Sequence, residues 1–183
     1  MLMIFLYLPF GQIKSMIVTV NTDASYSNKH KIGSYAFWIV SDKGKIFRSG
    51  TLKGSVCSST HAEMKCILNA FHCLFETEEW NCVTKIIVNT DSMIAIEKFQ
   101  NNHGKWLSTK KSEFLAESKI IQSCLNRILV DHINKKNNKK KIIIEYRHVK
   151  AHQHKKTSRN FVNYMCDKEA KRQLGISLKQ FFK

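Results

Sequence analysis

Acidic residues are scarce in this sequence. Only 14 Asp and Glu stand against 30 Lys and Arg, a net charge of +16 with pI near 9.7, and that imbalance favours a polyanionic partner, nucleic acid first and an anionic membrane surface second. Paired cysteines are also missing. The six, at 57, 66, 73, 82, 124 and 166, form no C-x-x-C unit, which argues against a disulfide or zinc framework and for small buried hydrophobes in a reducing, cytoplasmic setting. No apolar run is long enough to span a bilayer. The run over residues 1–10 is too short, and it lacks the basic flank and the cleavage pattern of a signal peptide. There is no internal repeat. The 183 residues suit one domain with a real core.

What is present centres on two tripeptides. The β-branched strand Met16 to Ser25, M-I-V-T-V-N-T-D-A-S, and the stretch Thr84 to Ile96, T-K-I-I-V-N-T-D-S-M-I-A-I, both run into Asn-Thr-Asp. Such strands suit a parallel pair buried on both faces, and ligands of open α/β sheets bind beyond the strand ends. Asp23 and Asp91 would then converge, which is costly for two carboxylates unless a cation lies between them.

Around these, Tyr35 to Val40 and Gly44 to Ser49 read as strands joined by the Asp-Lys-Gly turn at 42–44, completing an antiparallel meander with the first strand. A helix follows from the caps Ser58, Ser59 and Thr60 through Phe75. Then come the strand ending at Asp91, a short helix Ser92 to Phe99, and a polar loop over 101–112. A longer helix over about 113–133, a last strand Ile142 to Val149 and a last helix Phe161 to Leu174 complete the chain. The order predicts an α/β fold: a mixed five-stranded sheet, three antiparallel strands plus two parallel, flanked by helices. We expect residues 1–15 to be an extension dispensable for the fold, either an upstream-start segment or a surface-packed tail. Residues 16–176 form the functional domain and 177–183 a tail.

Two further acids join the pair. Glu63 lies near the start of the first helix and Asp167 in the last one. Taken alone, Glu63 reads as the acid of a Thr60-x-x-Glu63 capping box. Asp167 alone reads as a first-turn charge facing the helix dipole. With Asp23 and Asp91 they make an all-oxygen set with no His or Cys at ligand spacing, which suggests Mg²⁺ or Mn²⁺.

The ordered motifs T-D-A-S at Asp23, S-S-T-H-A-E ending at Glu63, V-N-T-D-S at Asp91, V-K-A-H-Q at His152 and N-Y-M-C-D ending at Asp167 resemble type 1 ribonuclease H from about Ile17 to Leu174. The resemblance implies a ribonuclease H-like fold and an endonuclease that hydrolyses the RNA strand of RNA–DNA hybrids, leaving 5′-phosphates. It also implies two Mg²⁺ ions, with Mn²⁺ the alternative, held by Asp23, Glu63, Asp91 and Asp167. Two metals suit phosphodiester hydrolysis, because one can activate water while the other stabilises the leaving alkoxide. His152 matches the family's mobile-loop histidine, which assists proton transfer or product departure. His154 is its nearest substitute, because the stretch from His152 to Asp167 is longer than usual.

Substrate contacts implied by the same resemblance fall on Ser25, Ser59, Thr60, Ser92, Asn163 and the basic segment with Lys105, Trp106 and Lys110. An aromatic among lysines suits nucleic acid, although Trp106 equally suits a core anchor. Two departures bear on hybrid selection, which reads the 2′-hydroxyl. Met93 stands where the family commonly has glutamine, and Ser59-Thr60-His61 where it often has paired asparagines. The run Lys135, Lys136, Lys139, Lys140 and Lys141 enters the last strand at its amino end, away from the acids, and raises the general field.

Other readings remain open at this point. They are an integrase or junction resolvase on the same fold, a non-catalytic duplex-binding module, and a basic membrane-surface protein anchored by residues 1–10. A free-standing monomer without stable membrane association is expected.

Overall fold

The computed structural model describes residues 16–77, 83–100, 142–150 and 158–181, together with single positions between 120 and 130. Five strands form one sheet: β1 (Met16–Ser27), β2 (Ile32–Ser41), β3 (Gly44–Thr51), β4 (Val83–Thr90) and β5 (Ile143–His148). Their order is β3-β2-β1-β4-β5. Neighbours β1, β2 and β3 pair antiparallel, whereas β4 pairs parallel to β1 and β5 parallel to β4. This is the mixed sheet predicted from the hydrophobic pattern. Lys31 and Gly44 carry the positive φ values, 53° and 142°, that the two hairpin turns require.

Three helices are described in full: α1 (Ser59–Glu76), α2 (Met93–Gln100) and α3 (Ser158–Phe181). The described positions between 120 and 130 are also helical, within the span expected for the long helix. Side-chain alternation decides which face each strand residue serves. Met16, Val18 and Val20 point to one face and pack with Phe37, Ile39, Ile86 and Val88 against Met64, Ile67, Phe71 and Leu74 of α1. The other face of the antiparallel half takes α3, where Cys166 and Ala170 meet Ala36 and Trp38. Small residues let α3 approach the backbone: the Ser34 hydroxyl donates to the Ala170 carbonyl at 2.6 Å.

Two expectations are corrected. The last helix starts three residues before Phe161 and continues through residues 177–181, which had been read as tail. Gly175 does not end it, because the next turn is fastened: Ser177 is buried, donates to the Gln173 carbonyl at 2.9 Å and hydrogen-bonds Thr51. The first helix is capped by Ser58, whose hydroxyl accepts from the His61 N–H at 3.0 Å, so Thr60 is not the cap and a Thr60–Glu63 capping box does not form. Capping of this kind contributes about 1 kcal/mol.

Candidate active site

The twin Asn-Thr-Asp tripeptides lie side by side. Asn21 and Asn89 are register partners of the parallel pair, and Asn89 Nδ2 donates to Asn21 Oδ1 at 2.9 Å while Asn21 Nδ2 donates to the Trp38 carbonyl at 3.3 Å. Both asparagines are buried. They bridge the strands at a fixed height, so the aspartates two residues further on emerge at the same end of the sheet. Asp23 is still inside β1 and buried; Asp91 lies just past the end of β4 and is half-buried.

The turn at Asp91 is held from several sides. Thr90 Oγ1 accepts from the Ser92 N–H at 3.2 Å, and the Ser92 side chain caps α2 by accepting from Ala95 N–H at 3.2 Å. From β5, Val149 N–H donates to the Thr90 carbonyl at 2.9 Å, and His148 donates through Nε2 to the Asp91 carbonyl at 3.1 Å. Sequence reasoning missed His148. Its signal was its place at the end of the strand beside Asp91.

Glu63 comes from α1. It lies in the second turn rather than the first, and its Oε1 accepts from the Ala24 N–H at 3.1 Å. Asp167 lies in the third turn of α3, so the reading of it as a first-turn dipole charge falls away. Lys171, one turn on, contacts both Asp167 oxygens at 2.7 and 2.8 Å. That pair was legible as an i,i+4 spacing but was not singled out.

Electrostatics tie the four acids together. Burial first, then the charges of Asp91 and Asp167, push Asp23 up to about 8, with Lys171 and the Ala24 N–H opposing. Glu63 is held well above the usual carboxylate range by burial, then by Asp23 and Asp91, with Asp167 adding to the same effect. Asp23 Oδ2 and Glu63 Oε2 are buried without a hydrogen-bond partner among the described residues. Buried, mutually repelling carboxylates with unsatisfied oxygens fit a hard divalent cation, whose charge and oxygen preference answer both deficits. Among the described residues no group of three or more His, Cys, Asp or Glu side chains stands close enough together to hold a metal ion.

Beneath the site sit two thiols. Cys66 donates to the Asp23 and Ala36 carbonyls at 3.3 and 3.4 Å, and Cys166 to the Asn21 carbonyl at 3.8 Å. Burial pushes both thiols well up. They serve as the small buried hydrophobes expected.

The remaining candidates are scattered around this edge. Ser25 is half-buried in β1, Ser59 exposed and Thr60 half-buried at the start of α1, Ser92 engaged as the α2 cap, and Asn163 buried one turn before Asp167 with an unpartnered Oδ1 among the described residues. Met93 is 50% exposed at the first position of α2. His152, His154, Lys105, Trp106, Lys110 and the lysine run at 135–141 lie outside the described residues.

Comparisons with known proteins follow the same lines. The sequence model of the RNase H family matches residues 15–175. Among solved structures, LC11-RNase H1 in complex with an RNA/DNA hybrid is similar with a TM-score of 0.61 at 12% identity, over 88% of this chain and 99% of that one. The N-terminal RNase H domain of a Mycobacterium tuberculosis protein, solved as a fusion with maltose-binding protein, is similar with a TM-score of 0.60 at 12% identity, over 90% and 98%. RNase H1 from the halophilic archaeon Halobacterium salinarum gives 0.58 at 11% identity, over 87% and 98%. No curated protein matches in sequence. No helix among the described residues is long and apolar enough to cross a membrane.

Proposed function

The chain belongs to the RNase H family, and from that premise we propose that it is a metal-dependent endoribonuclease that hydrolyses the RNA strand of RNA–DNA hybrids, with Asp23, Glu63, Asp91 and Asp167 holding two divalent ions, Mg²⁺ or Mn²⁺. The observation that carries this reading is the buried pair of unsatisfied oxygens, Asp23 Oδ2 and Glu63 Oε2, within a set of four carboxylates that repel one another. Such an arrangement is destabilising for its own sake. A cation makes sense of it.

When bound, divalent ions in this position supply charge neutralisation, activation of water and stabilisation of the leaving alkoxide. The chain's residues do the rest. Asp23, whose ionisation is opposed by Asp91 and Asp167, would help hold both ions. The Ala24 N–H fixes one oxygen of Glu63 and leaves the other for ligation. His148 and the Ser92 cap hold the Asp91 turn in place. Lys171, more than half exposed, pairs with Asp167, and an incoming phosphate would compete for its ammonium. His152 carries a proton to the departing group, and His154 is its substitute. Ser25, Ser59, Thr60, Ser92 and Asn163 are the polar groups assigned to the hybrid, with the basic segment carrying Lys105, Trp106 and Lys110 assigned to its phosphates. The net charge of +16 draws the polyanion to the site and makes encounter sensitive to salt. A neighbour of the same fold is known in complex with an RNA/DNA hybrid, which supports this choice of substrate.

The test is cleavage of an end-labelled RNA–DNA hybrid with Mg²⁺ and with Mn²⁺, with RNA and DNA duplexes as controls. We expect metal-dependent cutting of the RNA strand that disappears in Asp23→Asn. Salt-sensitive binding without cutting under either metal would replace this reading with that of a duplex-binding module.

A further inference from the structure

The outer side of α3 carries a pattern that the fold does not use. The helix buries Asn163, Cys166, Ala170 and Ser177, and on its opposite side Lys168, Arg172, Gly175 and Lys179 are each exposed. Steps of four, three and four residues keep these on one crest, which at 1.5 Å per residue runs about 17 Å. It starts one residue past Asp167. The acids on its flanks are already engaged, Asp167 by Lys171 and Glu169 by Arg172, at 2.7 Å each. Lys168 and Lys179 have no ion pair among the described residues. Gly175 is the residue that local structure leaves unexplained. It lies inside α3 without a positive φ, where glycine weakens a helix relative to any side chain but proline. A Cβ there would meet nothing within 4 Å, so packing does not require its absence. What a bare position on an exposed crest provides is close approach by the backbone of a partner.

We propose that this crest is a second nucleic-acid contact, holding the sugar–phosphate backbone of a strand as it leaves the four acids. Lys168, Arg172 and Lys179 face its phosphates, and Gly175 lets it lie close between them. The identity of the polyanion rests on the nuclease reading above; the contact rests on the crest. Charge decides the occupant. Lys168, Lys171, Arg172 and Lys179 stand against two flanking acids, in a chain of net charge +16, and spaced cations on a helix bind backbone phosphate without regard to sequence. Position supports the same choice. The crest begins beside Asp167 and is continuous with the site, a placement that an anionic membrane surface does not need.

The experiment reads binding apart from cutting. The full chain is titrated into a fluorescein-labelled RNA–DNA hybrid in EDTA over a range of salt, with anisotropy as the signal, alongside sedimentation with phosphatidylserine vesicles. Lys168→Gln combined with Lys179→Gln should weaken binding roughly tenfold at low salt and make the plot of log affinity against log salt shallower by about 2, the share of two phosphate contacts. Lys43→Glu removes the same total charge at the β2–β3 turn and should change neither quantity by a comparable amount. Gly175→Gln should weaken binding while melting no lower than the parent, because glutamine favours the helix and its Cβ meets open space. Unchanged affinity in the double variant or in Gly175→Gln would overturn the proposal, and so would an equal loss in Lys43→Glu, which reduces the crest to net charge. Loss of vesicle binding with hybrid binding intact would overturn it in favour of a membrane contact. Failure of the nuclease reading is a different result: the parent then gives no metal-dependent cutting, whatever its affinity.

Discussion

The Ala24 N–H donates to Glu63 Oε1 across 3.1 Å, so the residue that follows Asp23 on β1 anchors the acid contributed by α1. Strand and helix are joined by the same contact that sets the distance between two charges. Glu63 cannot move away from Asp23 without losing a hydrogen bond, and it cannot be near Asp23 without raising the cost of ionising both. The site therefore works against the stability of the protein that carries it.

That opposition gives the first prediction. Asp23→Asn should reduce hybrid cleavage by roughly a thousandfold or more, the scale seen when a preorganised charge-stabilising group is removed. The same change should raise the melting temperature of the metal-free protein at pH 8, because it deletes a buried, repelled carboxylate. Calorimetry and single-turnover cleavage on one preparation check both halves. A loss of stability at pH 8 would mean that Asp23 is held by favourable contacts instead.

A pH dependence follows with a defined sign. Asp23 is raised from an ordinary 3.8 to about 8, so between those values the folded protein binds more protons than the unfolded chain and stability falls as pH rises. Glu63 shifts in the same direction. Metal-free protein should lose melting temperature from about pH 4 to about pH 8, and Asp23→Asn should flatten the slope. Added Mg²⁺ should restore more at pH 8 than at pH 5, since it binds the ionised acids. Glu145 and Glu169, both lowered from an ordinary 4.5 to about 2 by their partners, act with the opposite sign below about pH 5 and leave the slope above that to the site acids.

How much of this was legible in the sequence depends on whether the signal was local. The N-T-D repeat at 21–23 and 89–91 announced two parallel strands, and Asn21 and Asn89 are indeed paired at one level; only β4 ends at its acid, because β1 runs on past Asp23 to Ser27 in its pairing with β2. Glu63 and Asp167 were found as acids but misread as helix-end charges when taken singly. A capping box and a cross-element carboxylate have the same spacing in one dimension, and only the true cap, Ser58, tells them apart. The extent of α3 was underestimated because its last turns are fastened by the tie between Ser177 and Thr51, which joins residues far apart in sequence. His148 was overlooked for a related reason: its partner is a backbone carbonyl in the turn after β4, so its place at the end of the last strand was the one signal it left.

The buried thiols yield a third prediction. Cys66 lies beneath Asp23 and Cys166 beneath Asn21, both fully inside, and burial disfavours their thiolates. Because the thiolate is the reactive form, neither should react with iodoacetamide at pH 8 in the folded protein, while both should react in denaturant. Peptide mapping by mass spectrometry reads this directly. Labelling of Cys66 at a rate comparable with that of the half-buried Cys57 would show that the floor of the site opens on the timescale of the reaction.

A substitution at Met93 should separate catalysis from selection. The residue stands 50% exposed at the start of α2, two residues past Asp91, and a thioether offers at most a weak acceptor to a 2′-hydroxyl or a base edge. Its loss should leave the acids and their metal affinity unchanged, because the Asp91 turn is held by Ser92, Thr90 and His148 rather than by this side chain. Met93→Gln adds an amide that can both donate and accept in the minor groove, and one such hydrogen bond contributes about 0.5–1.5 kcal/mol. The ratio of kcat/KM for the hybrid to that for an RNA duplex should therefore rise by up to about tenfold, with the Mg²⁺ dependence unaltered. If instead both substrates lose activity together, Met93 supports the Asp91 turn, and selection of the hybrid must be sought on α1 among Ser59 and Thr60.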